Sequence, residues 1–273
     1  MTHVQTLIYQ DARRQLIAGS VLSVIALVFI IGVITVTISS LLISLFYAAI
    51  FTTSGLSLLR TGYLDLKKSR QTDTDFMKDE VSLIIEKVPA RMYVGHKPKK
   101  SYQAGLFDMD GELYGEIQEI AGVKNKLLRG IQFVNFFENV RSADFILKDR
   151  NNHALYQIEK KGGFSWRGYV QNQEGFYVAY TKDTKNKTTG QRITRYIEAD
   201  QCRWSCEGDG YIGHFSIKDQ DGRVWAVIKR GAIPREAAER FEQMPGYLVE
   251  WEIREHIPAS LLAFIFLLQS RDQ

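Results

Sequence analysis

Few residues in this 273-residue chain have the types and spacing that chemistry demands. The five histidines, His3, His96, His153, His214 and His256, stand far apart, without the i, i+4 pairing or Cys-x-x-Cys partner that marks a zinc site. Cys202 and Cys206 sit four apart on a predicted strand, which places both on one face, about 13 Å apart. A disulfide needs Cα atoms within about 7 Å, so reduced thiols are expected, one or both in the core. Asp108-Met-Asp110 and Asp219-Gln-Asp221 invite a calcium reading, but an EF-hand loop has Gly at position 6 and Glu at position 12. Here Gly111 and Gly222 fall at position 4, and Arg223 puts a cation at position 5, so both are read as hairpin turns. No nucleophile motif, Walker loop or dinucleotide fingerprint occurs, and Gly162-Gly163 is too short to cradle a phosphate by itself. The expectation is a protein that is not an enzyme and holds no cofactor and no metal.

The remaining candidates are cations, which suit binding. Lys97, Lys99 and Lys100 form one dense basic segment; Lys182, Lys185, Lys187, Arg192 and Arg195 form another. Near an anionic leaflet each Lys or Arg contributes about 1 kcal/mol; away from one, the same segments are solvated loops. Residues 1–60 carry Arg13, Arg14 and Arg60 against Asp11, so of the whole-chain charge of +4 the rest of the chain keeps 32 basic and 30 acidic residues, a surplus of +2. So even a balance points to no nucleic-acid partner.

Positioning begins with the membrane. Between Gln15 and Leu59 lie 45 consecutive residues without Asp, Glu, Lys, Arg or His. One helix of that length would run roughly 67 Å, against a bilayer core of about 30 Å that about 20 apolar residues cross. Two crossings fit, about 16–36 and 39–59, joined by a short turn at Thr35-Val-Thr-Ile-Ser-Ser40. An alternative is one crossing plus a surface helix. A cleavable signal peptide would have an apolar region of only about 7–15 residues. Arg13 and Arg14 flank the first helix; Arg60, Lys67, Lys68 and Arg70 follow the second. Cytoplasmic flanks retain such residues, so both ends are predicted cytoplasmic in a multi-pass cell-membrane protein. Gly19 and Ser23 have the spacing of a small-xxx-small contact, a spacing that chance also produces often. The division is then 1–15 a cytoplasmic N-terminus, 16–59 the transmembrane hairpin, 60–87 a juxtamembrane linker with a short helix at 75–87, and 88–270 a further domain.

That further domain reads as β structure. Short alternating runs rich in Tyr, Phe, Val, Ile and Trp recur between turn residues, the signature of an antiparallel sheet or barrel. Candidate strands are 91–95, 102–107, 112–120, 131–135, 143–148, 154–160, 164–171, 176–181, 192–197, 201–206, 211–218, 223–229 and 247–254. A hairpin unit repeats: Phe145-Ile-Leu-Lys-Asp149 aligns with Phe215-Ser-Ile-Lys-Asp219, and Asp108-Met-Asp-Gly-Glu-Leu-Tyr-Gly-Glu-Ile117 overlays Asp219-Gln-Asp-Gly-Arg-Val-Trp-Ala-Val-Ile228. Such a piece cannot close a core alone. After the mixed-charge stretch 250–256 comes Ile257-Pro-Ala-Ser-Leu-Leu-Ala-Phe-Ile-Phe-Leu-Leu268, apolar nearly all round, with Pro258 suited to a first helical turn. Residues 258–268 make only about 16 Å of helix, too short for another crossing. A helix apolar on every face belongs inside protein, and a closed barrel offers that place.

The hairpins 145–160 and 215–230, the strand order and the final 259–268 helix resemble the tubby C-terminal-like fold, shared by the tubby, LURP-one-related and phospholipid scramblase families. The resemblance covers about residues 88–270 and implies a mainly β fold: a twelve-stranded antiparallel closed barrel around a C-terminal hydrophobic helix, here preceded by the two-helix hairpin. The tubby family's headgroup-reading basic positions have no one-to-one match in this chain, and the scramblase cysteine-rich segment is lacking. With its membrane hairpin the chain most resembles bacterial members without a known activity. The expected function is a membrane-anchored, non-enzymatic binding module that contacts anionic lipid headgroups or a protein partner. The alternatives are a scramblase-like lipid-handling protein and a structural membrane scaffold.

Overall fold

The computed structural model describes residues 2–35, 41–78, 84–96, 103–120, 142–162, 167–186, 189–209, 213–233 and 237–271. They form two compact units, each taken by itself.

The first unit is built on an antiparallel helical hairpin, α1 (His3–Thr35) and α2 (Leu41–Gln71). Both helices are long and apolar enough to cross a membrane. They pack through small residues: a Cβ on Gly19 would stand 2.8 Å from the Leu59 amide nitrogen and 2.9 Å from the Gly55 carbonyl oxygen, and one on Gly55 would stand 2.7 Å from Ser23 Oγ. The Gly19/Ser23 spacing is therefore an interhelical contact, and only residues without bulk allow this approach. Ala18, Leu22 and Leu58 fill the seam. The opposite faces are apolar and outward, with Ile17 55%, Val28 64% and Leu42 80% exposed. Both helices run past the charge-free stretch: residues 3–15 and 60–71, read above as a terminus and a linker, are helical. They are joined there by a bond from Gln15 Nε2 to Asp65 Oδ2 (3.0 Å). The turn expected at 35–40 lies, beyond Thr35, outside the described residues.

The second unit is a closed barrel of twelve strands: β2 (Arg91–His96), β3 (Gln103–Asp108), β4 (Leu113–Glu119), β5 (Ala143–Asp149), β6 (Ala154–Lys161), β7 (Arg167–Gln171), β8 (Tyr177–Lys185), β9 (Arg192–Glu198), β10 (Gln201–Asp209), β11 (His214–Asp219), β12 (Val224–Arg230) and β13 (Gly246–Trp251). Each strand pairs with its neighbours in sequence, and β13 closes on β2 with Tyr247 opposite Val94. Closure leaves no sheet edge. Twelve of the thirteen strands expected from sequence coincide with these; 131–135 lies outside the described residues.

Two expectations are corrected. The helix expected at 75–87 is absent from the described residues of that stretch: 75–78 have no regular structure, and β1 (Ile84–Lys87) is a strand paired with β14 (Glu255–Pro258), while 79–83 lie outside the described residues. Ile84 and Ile85 are β-branched and pair with Pro258 and Ile257, and that tertiary pairing overrides a weak local helical pattern. Pro258 ends β14, so the last helix, α4, starts one residue later and runs Ala259–Arg271.

α4 fills the barrel. Residues 259–269 are all buried, Leu261, Phe264, Phe266 and Leu267 completely. Phe264 meets Tyr196 at 5.7 Å between ring centroids, and Leu267 lies against Gly168, where a Cβ would come within 2.4 Å of it. The two polar residues within 259–269 are anchored, Ser260 by Trp204 Nε1 (3.3 Å) and Gln269 by donation to the Val94 carbonyl (3.4 Å). Outside the wall, the short helix α3 (Ala238–Phe241) covers β2 and β3, with Phe241 stacked on Tyr93 at 4.6 Å. Phe264→Ala is expected to lower the unfolding free energy of the barrel by about 3–5 kcal/mol. The exposed Val28→Ala should leave it within about 0.5 kcal/mol, as chemical denaturation of the detergent-solubilised chain will show.

Candidate functional site

The cations proposed to flank a membrane are brought together. Arg13 and Arg14 on α1 and Arg60, Lys67, Lys68 and Arg70 on α2 occupy the same end of the antiparallel hairpin. All but Lys68 are exposed.

The basic segment of β8 and β9 is divided by the sheet. Tyr196 faces the lumen, so its neighbour Arg195 faces out, and Lys182 stands directly opposite Arg195. The register extends this outer row through Ser205 on β10 to Lys218 on β11. Lys218 is paired with Glu207 (2.9 Å), whereas Lys182 and Arg195 make no salt bridge among the described residues. Two like charges directly opposite on one face oppose sheet stability, which marks the pair as a feature that the fold itself does not require. Lys185 and Arg192, also cross-strand partners, alternate to the other side, where Arg192 is bound to Asp183. Thr194 Oγ1 holds the same carboxylate at 2.7 Å. Lys97, Lys99, Lys100 and Lys187 lie outside the described residues. The sequence missed Lys218, because only strand register shows that it shares a row with Arg195.

Cys202 and Cys206 are free thiols, and they do not share a face. A bulge between Cys202 and Trp204 inserts one residue, so Cys202 opposes Ile197 while Trp204 opposes Tyr196. The extra residue inverts the alternation. Cys206 is buried against α4 beside an apolar gap of about 10 Å³ lined also by Phe215, Ile228, Tyr247 and Gln269. That is about the space of one water, far below the several hundred Å³ of a ligand pocket. Burial pushes the Cys202 thiol up, with Arg195 pulling it partly back; a raised pKa keeps it a thiol rather than a reactive thiolate.

The Asp-containing turns are structural. Four hairpins share one construction in which a side-chain oxygen accepts the amide four residues on: Asp108 from Glu112 (2.7 Å), Asp149 from His153 (2.8 Å), Asn172 from Phe176 (2.9 Å) and Asp219 from Arg223 (2.9 Å). Three residues after each comes the positive φ, +87° at Gly111, +64° at Asn152, +87° at Gly175 and +80° at Gly222. Asp219 is the most engaged, also accepting from the Asp221 amide (2.9 Å) and from Trp225 Nε1 (3.0 Å). Partial burial raises its pKa, but these three donors and Arg223 outweigh it and hold the carboxyl below its usual value. A carboxylate depressed in the folded state stabilises above its unfolded pKa, and that contribution is lost as the pH falls through the folded value. Wild type should therefore exceed Asp219→Asn in stability at neutral pH, and the difference should close on acidification below about pH 4, as paired denaturation midpoints across that range will show.

The class thus defined is a closed, meandering β-barrel plugged by its own terminal helix, in a chain that also carries a long apolar helical hairpin. No family model and no curated protein matches the sequence. Among solved structures, an X-ray structure of a protein from Arabidopsis thaliana is similar, with TM-score 0.41 and 10% identity over 68% of this chain and 93% of that one.

Proposed function

We propose that the chain is a membrane-anchored, non-enzymatic binding module, with α1 and α2 crossing the bilayer and the barrel held at its cytoplasmic face. The observation that carries the reading is the outward apolar belt of the hairpin, from Ile17 through Val28 on α1 and from Leu42 through Leu56 on α2, ending where the six flanking cations begin. Water disfavours so much exposed apolar surface, and a bilayer solvates it. The cations at one end fit the cytoplasmic side. Gln220, exposed in the β11–β12 turn, replaced by Cys in a chain whose two native cysteines are Ala, should react with an impermeant maleimide only in permeabilised cells. Labelling of intact cells would overturn the orientation.

Because α4 occupies the lumen, binding falls to the outer surface. The described cations that suit it are Lys182 and Arg195, with anionic lipid headgroups as their partner. The barrel closed about a C-terminal helix accords with the resemblance to the tubby C-terminal-like fold. Lys182→Glu should stabilise the barrel by about 0.2–1 kcal/mol through a new cross-strand pair with Arg195. It should also weaken recruitment of anionic vesicles to the full chain in neutral nanodiscs by about fivefold or more. Equal recruitment of neutral and anionic vesicles by the wild type would turn the reading to a protein partner.

A further inference from the structure

The charge-free residues 41–59 of α2 make about 28 Å of helix, close to the thickness of a bilayer's hydrocarbon core, so a crossing α2 leaves that core at Arg60. Tyr63, Lys67 and Arg70 follow Arg60 at spacings of 3, 7 and 10 residues, which set the four side chains within about 80° of one another around the helix. All four are exposed, Tyr63 at 64%, and none of the three cations has a salt bridge among the described residues. The same face continues toward the other end of α2 as Leu42, Leu45 and Leu56, all exposed. The seam with α1 lies on the far side, where a Cβ on Gly62 would stand 2.9 Å from Leu16 Cγ. Asp65, the one acid of α2, is turned to that side and accepts from Gln15. The outer face of this helix end thus carries three cations and an aromatic ring, and no acid.

Helix polarity separates these cations from those of α1. Side chains on a helix lean toward its N-terminus. A crossing α2 leaves the bilayer by its C-terminal end, so Lys67 and Arg70, about 10 and 15 Å beyond Arg60 along the axis, lean back toward the headgroup layer. Arg13 and Arg14 precede the crossing on α1 and lean away from that layer. Tyr63 adds the amphipathic ring that settles at a membrane–water interface. An orientation signal needs only charge on one side of the membrane; it requires neither a shared face, nor a ring within that face, nor the exclusion of the acid from it.

We propose that this strip of α2 is a binding site for anionic phospholipid headgroups of the cytoplasmic leaflet, their phosphates held by Arg60, Lys67 and Arg70 beside the Tyr63 ring. The site rests on the reading that α1 and α2 cross the bilayer, and it is separate from Lys182 and Arg195. Lipid is the occupant because the strip continues the outward apolar face of the same helix and its charge is complementary to phosphate. The full chain is reconstituted into phosphatidylcholine vesicles that contain spin-labelled phosphatidylglycerol or spin-labelled phosphatidylcholine, and electron paramagnetic resonance reads the share of each label immobilised on the protein. The wild type should prefer phosphatidylglycerol about fivefold or more, and high salt should weaken that preference. Lys67→Gln combined with Arg70→Gln should reduce it to about twofold or less. Adding Gln10→Lys, at an exposed position of α1, returns one cation to the same end of the hairpin and should not restore the preference. Circular dichroism verifies the helices; if the double variant loses helicity, Lys67→Gln alone is used with the same expected ranking. Equal immobilisation of the two lipids by the wild type, an undiminished preference in the variant, or full restoration by Gln10→Lys overturns the strip while the crossing stands. No immobilised lipid of either kind overturns the crossing, and the strip with it.

Discussion

The barrel depends on burying a helix that has no polar face. Twelve strands paired edge to edge satisfy their backbone groups by closure, but closure alone would leave an empty lumen. Ala259–Gln269 supply the missing volume, and the inward residues of the wall are sized to it: Gly168 yields where Leu267 presses, and Tyr196 extends where Phe264 leaves room. The dependence is mutual. In water α4 alone would expose apolar surface on every side, and the wall alone would enclose a void whose lining has lost its contacts. Even the polar residues within 259–269 serve the fit, since Ser260 and Gln269 tie the two ends of the helix to Trp204 and to the Val94 carbonyl.

The repeated hairpin fits the same constraint. A wall that must curve around a helix needs local twist, and the shared turn, with its side-chain cap and positive-φ residue, is accompanied by a register shift at Leu106/Phe107, Val170/Gln171 and Ile217/Lys218. Such bulges increase twist and bend the strand. The carboxylates that resemble calcium ligands in the sequence thus hold backbone amides at the turns.

Much of this was legible in the sequence. Alternation of Phe145, Leu147 and their counterparts marks strands, Asp-x-x-Gly marks turns, and an all-apolar terminal run can only be interior. What was not legible depends on register. The bulge before Trp204 separates two cysteines that simple alternation puts together, and the row from Lys182 to Lys218 exists only across strands. The ribbon of β1 and β14 was hidden because Ile84–Lys87 is short and its partner carries Glu255 and His256 at the end of the mixed-charge stretch 250–256. The site was the less legible part for the same reason: a surface is assembled by neighbours far apart in the chain, and local pattern carries no information on them.

The position of α4 in the chain sets an order of events. β2 is made early and its closing partner β13 about 150 residues later, and the filling helix is the last element of the barrel to emerge. No subset of strands synthesised before it has a completed interior, so the barrel cannot consolidate piecewise behind the ribosome. The apolar hairpin, by contrast, is available from the start. The chain therefore has two separate assembly clocks: its helical hairpin can pack while the rest is still being made, and the barrel must wait, with its strand edges unpaired, for the helix that completes it.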